Sequence, residues 1–179
     1  MSEVRGYSLY ARMQHVLMAL VVLGTLGLGA FMADIEPLSR RFQAFGWHKS
    51  LGLLVLALWI VRVLWRLRAR VPALPTAMPG WQQRAAQVSH VLLYGLMLVV
   101  PVSGWLYHSS TNLPLRWFGL FRVPALMDAN PGLKDTLKDL HGILAWTLLA
   151  LIILHIGAAL KHHFLDRDDV FRRMFRSIS

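Results

Sequence analysis

Four long stretches of this sequence are nearly free of charge, and nothing else in it limits the possible folds so tightly. An apolar run of about 20 residues is long enough to cross about 30 Å of hydrocarbon as a helix, where every backbone hydrogen bond closes within the segment. The runs extend from about Ser8 to Ala33, Ala44 to Trp65, Gln83 to His108 and Leu137 to Phe164. Charged residues make up 16% of the chain, against roughly 25% in a soluble domain, and they crowd between the runs. The expected fold is all-α: one integral membrane four-helix bundle spanning residues 1–179.

The first run is read as a span and not as a cleaved signal peptide. It exceeds a usual signal core, and no small-x-small cleavage site follows it. The basic, proline-rich Leu67–Pro79 segment is a connection. Pro101 falls inside the third span, which membrane helices tolerate. Ser109–Pro131, rich in helix breakers and aromatics, is expected to be a loop lying on the membrane surface through Trp117, Phe118 and Phe121.

Lys and Arg set the expected orientation. Arg5, Arg12, Arg62, Arg66, Arg68, Arg70, Arg84, Lys161 and the arginines beyond it share one side with both termini. They outnumber Arg40, Arg41, Lys49, Arg116, Arg122, Lys134 and Lys138 on the other side. Both termini are therefore expected in the cytoplasm. Arg62, within the last turns of span two, is expected to snorkel towards the headgroups. The net charge of +10 does not point to nucleic acid, because the basic residues flank apolar spans. With no cysteine, disulfides, iron–sulfur clusters and thiol catalysis are excluded.

The spans hold almost no carboxylate, yet they carry His15, His48, His90, His141 and His155. A lone histidine in a span is usually a packing contact. Five in four spans form a pattern, because ionisable groups in hydrocarbon are costly and functional. His48 and His141 lie near the outer face, and His15 and His90 lie about two turns in from the cytoplasmic face. His141 and His155 are fourteen residues apart, so they share one helix face about 21 Å apart along the axis. That spacing suits two cofactors stacked across a bilayer, and neutral imidazole is a good iron ligand. The expected cofactors are two b-type haems. His48 and His141 would hold the outer one, and His155 with either His15 or His90 the inner one, depth leaving that choice open. Zinc or copper fits two separated pairs less well, and a histidine proton relay would call for acidic partners within the spans. Gly46, Gly52, Gly142 and Gly157 stand near the ligands, but glycine is common in membrane helices.

The motifs R-M-Q-H-V-L, G-W-H-K-S-L-G, S-H-V-L-L-Y-G-L-M-L-V-V-P-V-S-G and L-H-G-I-L-A-W…L-H-I-G-A-A-L-K-H-H-F resemble the bacterial cytochrome b561 family from about Tyr7 to Arg173. The resemblance implies axial ligands from spans one, two and four, matching His15, His48, His141 and His155. It also implies that His90 and His162 stand near a quinone. His162 follows His155 by seven residues, and so by spacing alone shares its face.

One branch of the family oxidises superoxide outside the membrane and passes the electron to ubiquinone. The chain is similar to that branch in plan and differs from it at Met13 and Val16 beside His15. The resemblance thus implies an inner-membrane oxidoreductase whose partners are the lipid bilayer, ubiquinone, and superoxide or another periplasmic donor. A cationic approach for superoxide is expected from Arg40, Arg41, Lys49, Lys134 and Lys138, offset by Asp34, Glu36, Asp128, Asp135 and Asp139. His90 and His162 are expected to supply protons to the quinone. The alternative role is a haem-b membrane anchor and electron conduit for a dehydrogenase or hydrogenase.

Overall fold

The computed structural model describes residues 6–69 and 78–175. Arg5, Arg70 and Arg176, which contribute to the charge asymmetry, lie outside the described residues.

Four long helices match the four spans: α1 (Leu9–Phe31), α2 (Leu38–Arg68), α3 (Gly80–Ser109) and α4 (Lys134–Lys161). All four are long and apolar enough to cross a membrane. α1 starts where the Ser8 side chain accepts a hydrogen bond from the Ala11 amide at 3.3 Å, a side-chain N-cap. α2 starts six residues before its apolar run, because Arg40 and Arg41 end the hydrophobic pattern without ending the helix. Arg41 is occupied there: it pairs with Glu36 and donates from Nε to the Ile35 carbonyl at 3.1 Å. α3 continues through Pro101.

The fourth span reaches Phe164 as expected, with a change of winding inside it: the α-helix ends at Lys161 and a π-helical turn, His162–Asp166, carries the helical run on. Side-chain pairs tie this turn to the end of α4 and to the segment after it. Lys161 Nζ meets Asp166 at 2.5 Å, and His162 Nδ1 meets Asp168 at 2.6 Å. A short helix, α5 (Arg172–Phe175), closes the described chain.

Little of the apolar surface turns inward. The core is a small cluster of Val22, Val55, Leu93, Val100 and Leu148, while side chains such as Leu20 and Leu154 are 65% and 68% exposed. A water-soluble protein does not tolerate so continuous an apolar exterior, whereas lipid covers it at no cost. The chain is a helical bundle of the membrane.

The core repeats in sevens. Val22 lies seven residues after His15 and seven before Gly29, and Val55 stands in the same way between His48 and Arg62. Met97 lies between His90 and Gly104, and Leu148 between His141 and His155. A seven-residue period keeps one helix face on its neighbours in a left-handed bundle. The bundle therefore has three layers. His15, Arg62, His90 and His155 form the layer nearer the termini. Val22, Val55, Met97 and Leu148 fill the middle, packed in and against the core. Gly29, His48, Gly104 and His141 form the layer nearer the interhelical connections.

α3 packs on α4, α1 on α2, and α2 on α3, while α4 makes little direct contact with α1 or α2. The helix that carries two histidines is thus separated from the helices that carry their partners.

The connection from α3 to α4 is not a free surface loop. It holds an antiparallel hairpin of β1 (Leu115–Trp117) and β2 (Phe121–Val123). The turn between them has positive φ at Phe118 and Gly119, the pattern of a type I′ turn. Trp117 and Phe118, expected against lipid, are turned onto α2 instead. Trp117 Nε1 donates to the Ser50 carbonyl at 3.1 Å, and the Phe118 amide donates to Ser50 Oγ at 2.9 Å. Two half-buried donors find partners on α2 that lipid would not offer. Trp105 Nε1 donates to the Pro124 carbonyl at 2.9 Å and holds the far strand to α3. The hairpin is thus fastened to both α2 and α3.

Candidate functional site

In the loop-side layer, His48 from α2 and His141 from α4 face each other with ring centres 6.1 Å apart. A metal bound to one nitrogen of each ring would hold the centres about 6 Å apart, given metal–nitrogen bonds of about 2 Å. Each ring is tethered through its other nitrogen. His48 Nδ1 lies 3.1 Å from the Thr25 carbonyl of α1. His141 Nδ1 lies 3.1 Å from the Val100 carbonyl and 3.0 Å from Ser103 Oγ on α3. Ser103 gives its own hydrogen to Val100 O at 2.7 Å, so its oxygen accepts from His141. With carbonyl acceptors on both Nδ1 atoms, the assigned tautomer is Nδ1–H and Nε2 is free to bind metal.

Two glycines make room for these rings. A Cβ on Gly29 would lie 2.8 Å from His48 Cε1, and one on Gly104 would lie 2.9 Å from His141 Cε1. Neither glycine figures among those noted from the sequence. A Cβ added to Gly46, Gly52, Gly142 or Gly157 would meet no atom of the described residues within 4 Å.

Beside these rings is a cavity of about 660 Å³ lined by His48, His141, Lys49, Lys134, Trp105 and His108, among others. Its size and apolar walls suit a tetrapyrrole. Of the five cations expected to guide an anion, only Lys49 and Lys134 line it. Arg41 is paired with Glu36, and Arg40 and Lys138 lie on the exposed surface. His108 was missed from the sequence. It ends the third span on the side of His48, and its Nε2 is buried with no partner among the described residues.

The terminal-side layer brings three imidazoles together. His155 lies 6.3 Å from His15 and 5.7 Å from His90, between ring centres. The same two candidates that depth left open are therefore both adjacent to His155. The His15 separation is the nearer to that of the loop-side pair. Among the described residues no hydrogen bond tethers His15 or His155.

Arg62 completes this layer. Its Nε donates to Tyr94 Oη at 3.0 Å, so it does not reach for the headgroups as the sequence suggested. The phenol oxygen of α3 offers an acceptor within the bundle.

His162 lies one heptad beyond His155 in the sequence, but in the π-helical turn. Its Nδ1 meets Asp168 at 2.6 Å and Asp166 at 3.2 Å. The imidazole thus has a carboxylate behind one nitrogen, an arrangement that fixes ring orientation and supports proton transfer at the other.

A family model described as prokaryotic cytochrome b561 matches residues 6–177. Cytochrome b561 homolog 2 of Escherichia coli (strain K12) is 35% identical over 170 residues, covering 94% of this chain and 90% of that protein. Cytochrome b561 homolog 1 of the same organism is 30% identical over 127 residues, covering 71% and 72%. A protein of Yersinia pestis named probable superoxide oxidase CybB is 33% identical over 127 residues, with the same coverage of 71% and 72%.

Proposed function

Since this chain belongs to the prokaryotic cytochrome b561 family and is a membrane haem protein, we propose that it holds two haems b and carries electrons from superoxide to ubiquinone. The observation that carries this reading is the pair of histidine layers, fourteen residues apart on α4, with opposed ring centres at 6.1 Å and 6.3 Å. His48 and His141 hold the loop-side haem, and His15 and His155 the terminal-side haem. Bound haem supplies one-electron transfer across the bilayer, and bis-imidazole ligation suits a group that only passes electrons.

The chain's own residues do the rest. The Thr25 and Val100 carbonyls, with Ser103, fix the loop-side imidazoles so that little reorganises when the charge changes. Lys49 and Lys134 line the loop-side cavity and raise the local concentration of a small anion such as superoxide. At the terminal side, His90 and His162 deliver protons to the reduced quinone, with Asp168 accepting from His162 Nδ1 and orienting its ring. The termini lie in the cytoplasm and the hairpin in the periplasm of a bacterial inner membrane, following the Lys and Arg asymmetry.

The superoxide oxidase name of the Yersinia relative supports the choice of donor. A second reading, a haem-b conduit for a partner dehydrogenase, is favoured by the hairpin tip, where Leu120 is 75% and Phe121 54% exposed. A superoxide pulse applied to the purified chain tests the choice. Haem reduction without any partner protein, followed by reoxidation with ubiquinone, supports the oxidase. Haem that stays oxidised until a co-purifying enzyme is added supports the conduit.

A further inference from the structure

Arg62 occupies an unusual position. It lies fourteen residues after His48 on α2, as His155 lies fourteen residues after His141 on α4. It is therefore the α2 member of a layer whose other members are histidines, and it lies close to both His15 and His90. Its guanidinium is only partly satisfied. Nε donates to Tyr94 Oη at 3.0 Å, and one terminal nitrogen is buried with no partner among the described residues. Trp59 Nε1 donates to the Tyr94 carbonyl at 2.9 Å, so α2 and α3 are tied together at the residue that holds the arginine.

A second arginine adds to the imbalance. Arg66, one turn further along α2, lies 5.4 Å from the Tyr94 ring centre, while Arg62 lies 6.0 Å from it. Like charges four residues apart on a helix repel. Among the described residues no carboxylate pairs with either. Across the layer, Arg12 precedes His15 by three residues, and its Nε is also buried without a partner among the described residues. Guanidinium groups at membrane depth are costly unless paired, and guanidinium is the side chain best shaped to pair with an oxyanion. This end of the bundle is built for an anion.

We propose that Arg62, positioned by Tyr94, binds a propionate carboxylate of the tetrapyrrole held in the terminal-side layer. The inference rests on the reading that a haem sits there. Haem b carries two carboxylates, which suits a layer flanked by two arginines with unpartnered nitrogens. A cation paired with the propionate also favours the reduced iron, so Arg62 keeps one of the two haems easier to reduce.

The experiment is a redox titration of the detergent-purified holoprotein with Arg62 intact, Arg62→Met and Arg62→Lys. It is paired with redox-difference infrared spectra of protein grown with haem labelled by carbon-13 at the propionates. The expected result is that Arg62→Met lowers one midpoint potential, leaves the other in place, and shifts one labelled carboxylate band. Arg62→Lys restores part of both effects. Should Arg62→Met fail to assemble, Tyr94→Phe keeps the charge and removes its anchor, and a smaller shift of the same band and potential is expected. Two haems whose potentials and carboxylate bands ignore Arg62→Met, or Tyr94→Phe where that variant stands in, would overturn the inference. So would loss of a bound anionic lipid with those spectra unchanged, because the oxyanion would then be a phosphate headgroup. A preparation with no haem would instead defeat the functional reading.

Discussion

His48 and His141 belong to helices that barely touch, yet their ring centres are 6.1 Å apart, and each ring lies close to a glycine of another helix. Nothing in the packing of α2 against α4 brings them together. The Thr25 and Val100 carbonyls aim them, and Gly29 and Gly104 clear the space. A gap bounded by two aimed imidazoles is what a planar metal complex needs.

Replacing one ligand should remove one haem and spare the other. His48→Leu is expected to lower the haem content from two to one per chain, and so is His155→Leu, because leucine offers iron no donor atom. The residual α-band should differ between them, since each leaves a different site filled. Pyridine haemochrome assay and low-temperature absorption spectra measure this.

The glycines at the rings should be intolerant where their neighbours are not. A Cβ at Gly29 or Gly104 would come within 2.9 Å of the His48 or His141 ring, so Gly29→Ala and Gly104→Ala must displace an imidazole. Both variants are expected to lose loop-side haem. Gly24→Ala and Gly95→Ala add a methyl with nothing within 4 Å and should keep both haems. Haem-to-protein ratios after purification test the contrast.

Ser103 offers a subtler test. Its oxygen accepts from His141 Nδ1 at 3.0 Å, which would make the imidazole a stronger donor to a bound haem iron and favour its oxidised state. Ser103→Ala leaves the Val100 carbonyl in place. The expected outcome is a modest rise of one midpoint potential with both haems retained.

His15 and His90 should separate by phenotype. His15→Gln is expected to lose the terminal-side haem. His90→Gln should keep both haem spectra and slow ubiquinone reduction, about 10-fold or more if the imidazole serves as a proton donor. Optical spectra with stopped-flow reoxidation by ubiquinone distinguish the two.

Neutralising Lys49 and Lys134 together should slow haem reduction by superoxide and flatten its dependence on salt, because screening has less field left to weaken. Pulse radiolysis at two ionic strengths measures both. Neutralising Arg40 and Lys138 should matter far less, since neither lines the cavity.

The hydropathy pattern was enough to locate the four helices, because a run of apolar residues has few other fates in a chain with so little charge. The spacing of His141 and His155 likewise gave two layers before any contact was known. The supporting residues were harder to see. Gly29 and Gly104 are ordinary membrane-helix glycines until an opposed ring gives them a role, and such a clearance is a tertiary fact. A signal was nonetheless present: Gly29 follows His15 by fourteen residues, Gly104 follows His90 by fourteen, and Arg62 follows His48 by fourteen. Asking what stands one cofactor spacing along each helix would have found all three. The hairpin was not legible, because two three-residue strands carry almost no periodicity and Ser50, their anchor, is far away in sequence. The fourth span ends at Phe164 as read from the sequence, but its change from α- to π-helical winding at His162 leaves no mark in the apolar pattern.

The central claim is that α4 contributes one ligand to each of two haems. Haem content and reduced-minus-oxidised spectra of the intact chain, His141→Leu, His155→Leu and the double variant, in which the new side chain cannot bind iron, test it most directly. The account predicts two haems b per chain, then one, one and none, with the fold of the double variant checked by circular dichroism. A folded double variant that keeps both haems, or an intact chain with no b-type α-band when haem is abundant, would contradict it.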